Sequence, residues 1–220
     1  MTLDFVLNNE ILFQNFFYKK FNYQAVISKN NDDQQKREAT LLGMIRYLED
    51  KPHKYQGFKS TLYINLFESH LAQKKSDSKL LIHYLQQPYI NLSSDFNQTR
   101  QQQLRQAQKN KQFVNQQGSR MFQTVVPKYL ESILEKGEDY QQFCQYYQQQ
   151  YVLKLYYKVN LFKGAKMPDA IKIFGLEKLK ALNQMKILEF NDKGKQYPHG
   201  TPVKLSLSVK NISKLKVRVY

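Results

Sequence analysis

The sequence predicts an α+β chain: a predominantly all-α bundle of helix pairs over residues 1–185, followed by a short antiparallel β segment over 186–220 that is incomplete alone. Three observations carry this prediction. Upstream of 185, apolar residues recur at three- and four-residue spacing, which puts them on one face of a helix. Gly, Pro and small polar residues punctuate these stretches at helix-length intervals. From 186 onward the apolar period falls to two, the period of a strand with one wet face.

Leu3, Leu7, Ile11 and Val6, Phe13, Phe17 give a first helix over 3–20 with a wide apolar face, expected to be buried in the bundle. The polar run Asn30–Asp33 follows as a loop, and Asp33 is the expected cap of a helix over 34–50 with Leu41, Leu42, Ile45 and Leu48 inward. Lys51-Pro52 stops it. A helix over 61–75, begun by Ser60, carries Leu62, Leu66 and Ser69 beside Tyr63, Phe67 and Leu71. Ser78 is the expected cap of a short helix through Gln87, closed by Pro88, and the two form an αα-hairpin. Asp95 is the expected cap of a long polar helix over 96–117. Gly118 ends that helix, and Ser119 starts the next, which runs to about Lys136 with Pro127 inside it and Gly137 after it. A kink or a late start is expected at Pro127.

Residues 138–162 read as one long aromatic helix, with Tyr140, Phe143, Tyr147, Tyr151, Leu155 and Val159 on a single stripe and Gly164 as its stop. A short helical pair runs from Met167-Pro168-Asp169 to about Gln184. Ile187, Leu188 and Phe190 then form an apolar run before a turn at Asn191–Gly194. Val203, Leu205, Leu207 and Val209 alternate with Lys204, Ser206, Ser208 and Lys210. Leu215, Val217 and Val219 alternate with Lys214, Lys216 and Arg218. The apolar sides are expected inward and the lysines outward. No repeat of about 34 residues marks a solenoid.

The chain has 220 residues, 41% apolar, with 16 Tyr, 14 Phe and no Trp, enough to bury a core without disulfides or metals. Its net charge of +16 predicts attraction to an acidic partner, whether protein, nucleic acid or an anionic surface. The charge is uneven: residues 164–220 hold 12 Lys/Arg against four acids, so the C-terminal part is the denser. Nine of the 26 glutamines fall within 98–117, read as solvated faces of helices.

A single cysteine, Cys144, excludes an internal disulfide framework and any multi-cysteine zinc site, and points to a reducing, intracellular compartment. The cytoplasm is the simplest such compartment; nuclear or organellar placement stays open. The N-terminus lacks a basic n-region, and Asp4 and Glu10 interrupt its apolar run, so neither a signal peptide nor a transmembrane helix is expected.

Catalytic motifs are missing. Neither GxxxxGKS/T nor GxGxxG occurs, and His53, His70, His83 and His199 have no metal-ligand spacing. His70 and His83 are placed to approach each other only across the hairpin. Cys144 lacks a neighbouring base, and Glu131 and Glu135 are flanked by Lys128 and Lys136. No catalytic, metal or cofactor site is therefore assigned, and no enzyme activity is expected. The candidate functional residues are cationic. Arg100, Arg105, Lys109, Lys111 and Arg120 follow one another with no acid between them, a pattern suited to running along phosphates. Lys204, Lys210, Lys214, Lys216 and Arg218 form a second cluster, with Lys204 and Lys210 on one strand face.

The alternating pattern reaches Tyr220 without a stop signal. Three arrangements complete it: packing on the helical domain, addition to a partner's sheet by β-augmentation at 203–220, or a longer sandwich. The run TPVKLSLSVKNISKLKVRVY, Thr201 to Tyr220, resembles a segment of very large protist proteins. In those proteins a helical region precedes a β-domain similar to those of the α2-macroglobulin superfamily. The resemblance implies a sandwich and an interaction role. No thioester motif is present, so it carries over no reactive site. The leading functional expectation is a non-enzymatic protein-interaction or scaffold module. The alternative is a basic nucleic-acid-associated protein, such as a subunit of a ribonucleoprotein or chromatin assembly.

Overall fold

A computed structural model describes residues 9–22, 34–51, 55, 57–88, 90, 93–109, 118–190 and 207–216. The chain divides into two compact units, Met1–Val152 and Leu153–Tyr220. The boundary expected near 185 lies inside the second unit.

In the first unit, helix α1 (Glu10–Lys20) is capped by Asn9, whose side chain accepts from Leu12 N–H at 3.1 Å. Phe13 and Phe17 are buried, and Phe13 stacks on Tyr55 with ring centroids 3.7 Å apart. Ile11, assigned to the buried face by its spacing, is instead 71% exposed. Helix α2 (Gln34–Tyr47) turns Leu41, Met44 and Ile45 inward. The expected cap Asp33 lies outside the described residues.

Helix α3 (Gly57–Ala72) starts earlier than Ser60 and is the centre of this unit. Every residue from Leu62 to Phe67 is buried, Asn65 included, because α3 packs against both α2 and helix α6 (Gly118–Glu135). A helix with partners on more than one side needs a wider apolar surface than one stripe. Its end is a Schellman motif in which Lys74 takes the left-handed position at φ +56°, Lys74 N–H bonding Leu71 O and Lys75 N–H bonding His70 O.

Helix α4 (Ser78–Gln86) is capped by Asp77 and not by Ser78: the carboxylate accepts from the N–H of Lys79 and Leu80. An ionised acceptor at a helix N-terminus meets both the orphan donors and the helix dipole. Pro88 sets the other end by forcing Gln87 into extended backbone, ψ 135°. Tyr63 and Phe67 of α3 meet Tyr84 of α4 at 5.6 and 5.3 Å, so the expected hairpin forms.

Helix α5 (Gln98–Lys109) is capped by Asn97, not Asp95: Asn97 Oδ1 accepts from Arg100 N–H at 2.8 Å. Residues 110–117 of the expected longer helix lie outside the described residues. Helix α6 opens at Gly118 and continues through Pro127 to Glu135, and Gly137 follows it at φ +87°.

The single helix expected over 138–162 is interrupted. A 3-10 turn (Tyr140–Phe143) capped by Asp139 comes first, and helix α7 starts only at Gln149 and ends at Phe162. The reason is long-range hydrogen bonding. Asn97 Nδ2 donates to the carbonyls of Cys144 and Gln145, Asn97 N–H donates to Tyr146 O, and Gln148 N–H donates to Asp95 O. These bonds, with the Phe96–Tyr147 bridge, take the backbone groups that a continuous helix would pair locally.

In the second unit α7 ends in another Schellman motif at Gly164, φ +82°, with Gly164 N–H on Leu161 O and Ala165 N–H on Asn160 O. Helices α8 (Ala170–Phe174) and α9 (Leu176–Gln184) pack together around Gly175, as the helical pair predicted. Strands β1 (Ile187–Phe190) and β2 (Leu207–Lys210) pair antiparallel, with Leu188 opposite Val209 and Ile187 opposite Lys210. Residues 214–216 are not strand, and 201–206 and 217–220 lie outside the described residues.

At its C-terminal end β2 departs from the orientation expected. Val209 is 46% exposed and its neighbour Leu188 is 44% exposed, while Lys210 is half-buried. Lys210 Nζ donates to Leu161 O at 3.3 Å and Leu182 O at 3.0 Å, and stands 4.9 Å from the centroid of the Phe162 ring. Its ammonium thus meets carbonyls in the last turns of α7 and α9, where the helix dipole is negative, and its stem covers an aromatic ring. Burial pulls its pKa down from the ordinary lysine value. Asn211, at φ +55°, extends the clamp by donating to the carbonyls of Asn183 and Met185. Lys210→Met keeps the stem and removes both charged bonds. It is expected to destabilise the second unit by about 1–2 kcal/mol, read as faster hydrogen exchange of the β1 amides; unchanged exchange would show that the clamp is idle.

Candidate functional site

The cationic residues singled out by the sequence divide into three groups. Arg100 is buried and turned inward: its guanidinium donates to Gln87 O at 2.6 Å and to Gln103 Oε1 at 3.3 Å. Burial also lowers its pKa, although Tyr146 and Tyr84 oppose this. It ties α5 to the end of α4 and presents no free face to a phosphate. Arg105 stands exposed on α5, and Lys214 and Lys216 are exposed after β2. Lys210 is held inward, so it does not form a wet basic face with Lys204. Lys109 is the last residue of α5 and Arg120 lies in the first turn of α6; nothing is described of their side chains. Lys111, Lys204 and Arg218 lie outside the described residues.

His70 and His83 do not meet. His83 Nδ1 is 3.1 Å from Tyr63 Oη. His70 belongs to a chain of polar groups that joins three helices. Tyr129 Oη of α6 accepts from Asp77 N–H at 3.0 Å and lies 2.7 Å from His70 Nδ1 of α3. Its own proton is then directed to Nδ1, which leaves the ring proton on Nε2; this nitrogen lies 3.1 Å from Glu38 Oε1 of α2, a close approach without hydrogen-bond alignment. Lys75 Nζ stands 3.7 Å from the other carboxylate oxygen. The order carboxylate–imidazole–hydroxyl resembles a relay that activates a nucleophile. Here the hydroxyl is sealed: Tyr129 has no exposed surface and stacks on Phe67 at 4.2 Å. Burial raises its pKa well above that of an ordinary phenol. The chain therefore fastens helices. Tyr129→Phe strands Asp77 N–H and His70 Nδ1, and is expected to cost about 1–3 kcal/mol of stability by urea unfolding; an unchanged midpoint would count against this role.

Cys144 is likewise held in its unreactive form, since burial and then Asp139 push the thiol pKa up. Among the described residues no group of three His, Cys, Asp or Glu is placed to hold a metal ion, and no helix is long and apolar enough to cross a membrane.

The first unit also holds a cavity of about 200 Å³, lined by Ser93, Ser94, Asp95, Gln123, Val126, Pro127, Tyr147 and Tyr151. The sequence placed Tyr147 and Tyr151 on an aromatic stripe and Asp95 at a helix start. It gave no sign that these residues meet, because the turn at 93–95 and the start of α7 are joined by the Asn97 and Gln148 bonds between residues distant along the chain.

This arrangement defines a strongly basic helical module whose most reaction-like side chains are spent on holding the fold. The chain belongs to the family of actin-binding protein F N-terminal domains, whose model matches residues 4–186. That match spans all the helices described above. No curated protein and no solved structure matches the chain.

Proposed function

We propose that this chain is a non-enzymatic, intracellular protein-interaction module, and that the partner it binds is actin. The observation that carries the reading is the family match over residues 4–186, which embraces both the bundle around α3 and the α8–α9 pair. The charge supports it: a chain with net +16 and exposed cations such as Arg105, Lys214 and Lys216 is suited to an acidic protein surface. The sealed Tyr129 hydroxyl and the unactivated Cys144 thiol are in keeping with it.

The test is co-sedimentation of the whole chain with actin filaments at low and physiological salt. The expected result is saturable pelleting that weakens as salt rises, with Arg105→Glu and the pair Lys214→Glu, Lys216→Glu each lowering affinity several-fold. Pelleting that does not saturate, or a chain that stays in the supernatant at low salt, overturns the reading. Retention of an unrelated duplex DNA with equal affinity and a steeper salt slope would move the assignment to nucleic acid.

A further inference from the structure

We propose that the cavity lined by Asp95, Gln123 and Tyr147 is a binding site for a single organic cation, an ammonium or guanidinium group, and that this site is independent of the basic surface assigned to the acidic partner. In a chain of net charge +16 a cavity of this character is unexpected, and four observations define what it takes.

The first is an uncompensated carboxylate. Glu38 faces His70 and Lys75, Asp169 faces Lys172, Glu177 faces Lys180, and Asp77 and Asp139 cap helical turns. Asp95 is half-buried, and its carboxylate accepts a long bond, 3.4 Å, from Ser93 Oγ. It has no cationic partner among the described residues. A half-buried carboxylate in that position draws a cation from solution.

The second is Tyr147. Its side chain is 96% buried, as its residual exposure of 4% states, and one edge reaches the cavity. Its ring packs on Phe96 at 5.0 Å and stacks on Tyr151 at 5.4 Å. A phenol at the wall of a cavity offers its oxygen as an acceptor to a donor ligand.

The third is Pro127, which has no N–H. The Gln123 carbonyl four residues earlier therefore lacks its ordinary helical donor, and both residues line the cavity. A proline in the middle of a helix costs stability; here it frees an acceptor on a residue that lines the same cavity as the carboxylate. The fourth is electrostatic. The Tyr151 pKa is raised by burial first, then by Asp95 and Glu131, so both carboxylates act on this wall.

Carboxylate, phenol oxygen and main-chain carbonyl are acceptors for N–H donors set around one positive charge. A hard divalent cation would need several oxygen ligands, usually including more than one carboxylate, and among the described residues Asp95 is the only acid that lines the cavity. The volume, about 200 Å³, holds one side-chain head group and not a nucleotide.

Two sources supply this chemistry: an Arg or Lys side chain of a partner protein, or a free amine. Titration with agmatine and, separately, with N-acetyl-arginine N-methylamide, followed by amide NMR shifts, separates them. The expected result is saturable shifts at Gln148, Tyr151 and Gln123 that decline with salt. Asp95→Asn, which preserves the main-chain bonds of residue 95, should lower affinity at least tenfold, and Tyr147→Phe should lower it several-fold, with circular dichroism unchanged. Preference for the capped arginine assigns the site to a partner side chain; preference for agmatine assigns it to a free amine. Absence of saturable shifts with either probe to tens of millimolar overturns the proposal. So does Asp95→Asn binding as tightly as the unaltered chain.

Discussion

Phe67→Ala is expected to lower the stability of the first unit by about 3–5 kcal/mol, a large share of what holds a domain of this size together. Phe67 has no exposed surface. Its ring stacks on Tyr129 at 4.2 Å, meets Tyr84 edge-on at 5.3 Å and lies 6.2 Å from Tyr63. It therefore sits where α3, α4 and α6 converge, and truncation removes packing from all three helices at once. Collapse of the void is restricted, because Tyr129 is fixed through its hydroxyl to His70 and Asp77. Phe67→Leu, which refills part of the space, is expected to recover more than half of the loss. The measurement is the urea midpoint of each variant. A loss below about 1 kcal/mol for Phe67→Ala would mean that the site relaxes freely, and that α3 is not the centre of the bundle.

Alkaline unfolding is the second large effect. Burial pushes the Tyr63 phenol up to about 12, with Glu49 adding to the shift. Burial also leads the upward shifts of Tyr84, Tyr129, Tyr147 and Tyr151. Unfolded tyrosines ionise near pH 10. Between pH 10 and the raised values, the folded chain holds phenolic protons that the unfolded chain has lost. Stability is therefore fully present below pH 10 and is lost as pH rises through the folded-state values. Each such tyrosine contributes a slope of up to about 1.4 kcal/mol per pH unit. With these tyrosines shifted in the same direction within one unit, the urea midpoint should be level from pH 8 to 9.5 and fall steeply above 10. Phenolate absorbance should rise together with unfolding, not before it. A level midpoint to pH 12, with phenolate appearing in the folded chain, would mean that these rings are wetter than the structure places them.

Most helices were legible in the sequence because their signals are local. Pro88 closes α4 through a clash with its immediate neighbour, and Gly137 and Gly164 take left-handed backbone that other residues adopt less readily. The caps were harder. Asp77 and Ser78 both have cap chemistry, as do Asp95 and Asn97, and a one- or two-residue choice depends on which side chain reaches the free N–H groups. In the second pair tertiary contacts decided it: Asn97 caps α5 with its oxygen while its nitrogen holds the carbonyls of Cys144 and Gln145. Those same bonds break the helix expected over 138–162, whose stripe of Tyr140, Phe143, Tyr147 and Tyr151 satisfied the helical period.

For the site the balance differs. The positive charge of the chain and its lack of catalytic motifs are sums over composition and need no fold. Whether a given cation faces water does. Arg100 and Lys210 both lie in solvent-facing positions of their patterns, yet each turns in to bond main-chain carbonyls, Gln87 for one and Leu161 and Leu182 for the other. A long cationic side chain has an apolar stem and a donor head, so it is stable in either environment, and periodicity cannot choose between them.

The sequence by itself determined a helical chain with a two-residue period at its end, a strong positive charge, and the stops set by Gly and Pro. Each of these follows from a residue and its neighbours along the chain. Only the tertiary structure decided which lysine faces inward, where the aromatic helix breaks, and that Asp95, Gln123 and Tyr147 share a cavity. Those outcomes depend on hydrogen-bond partners distant along the chain, and a buried polar group takes whichever partner the packing of its helices brings within reach.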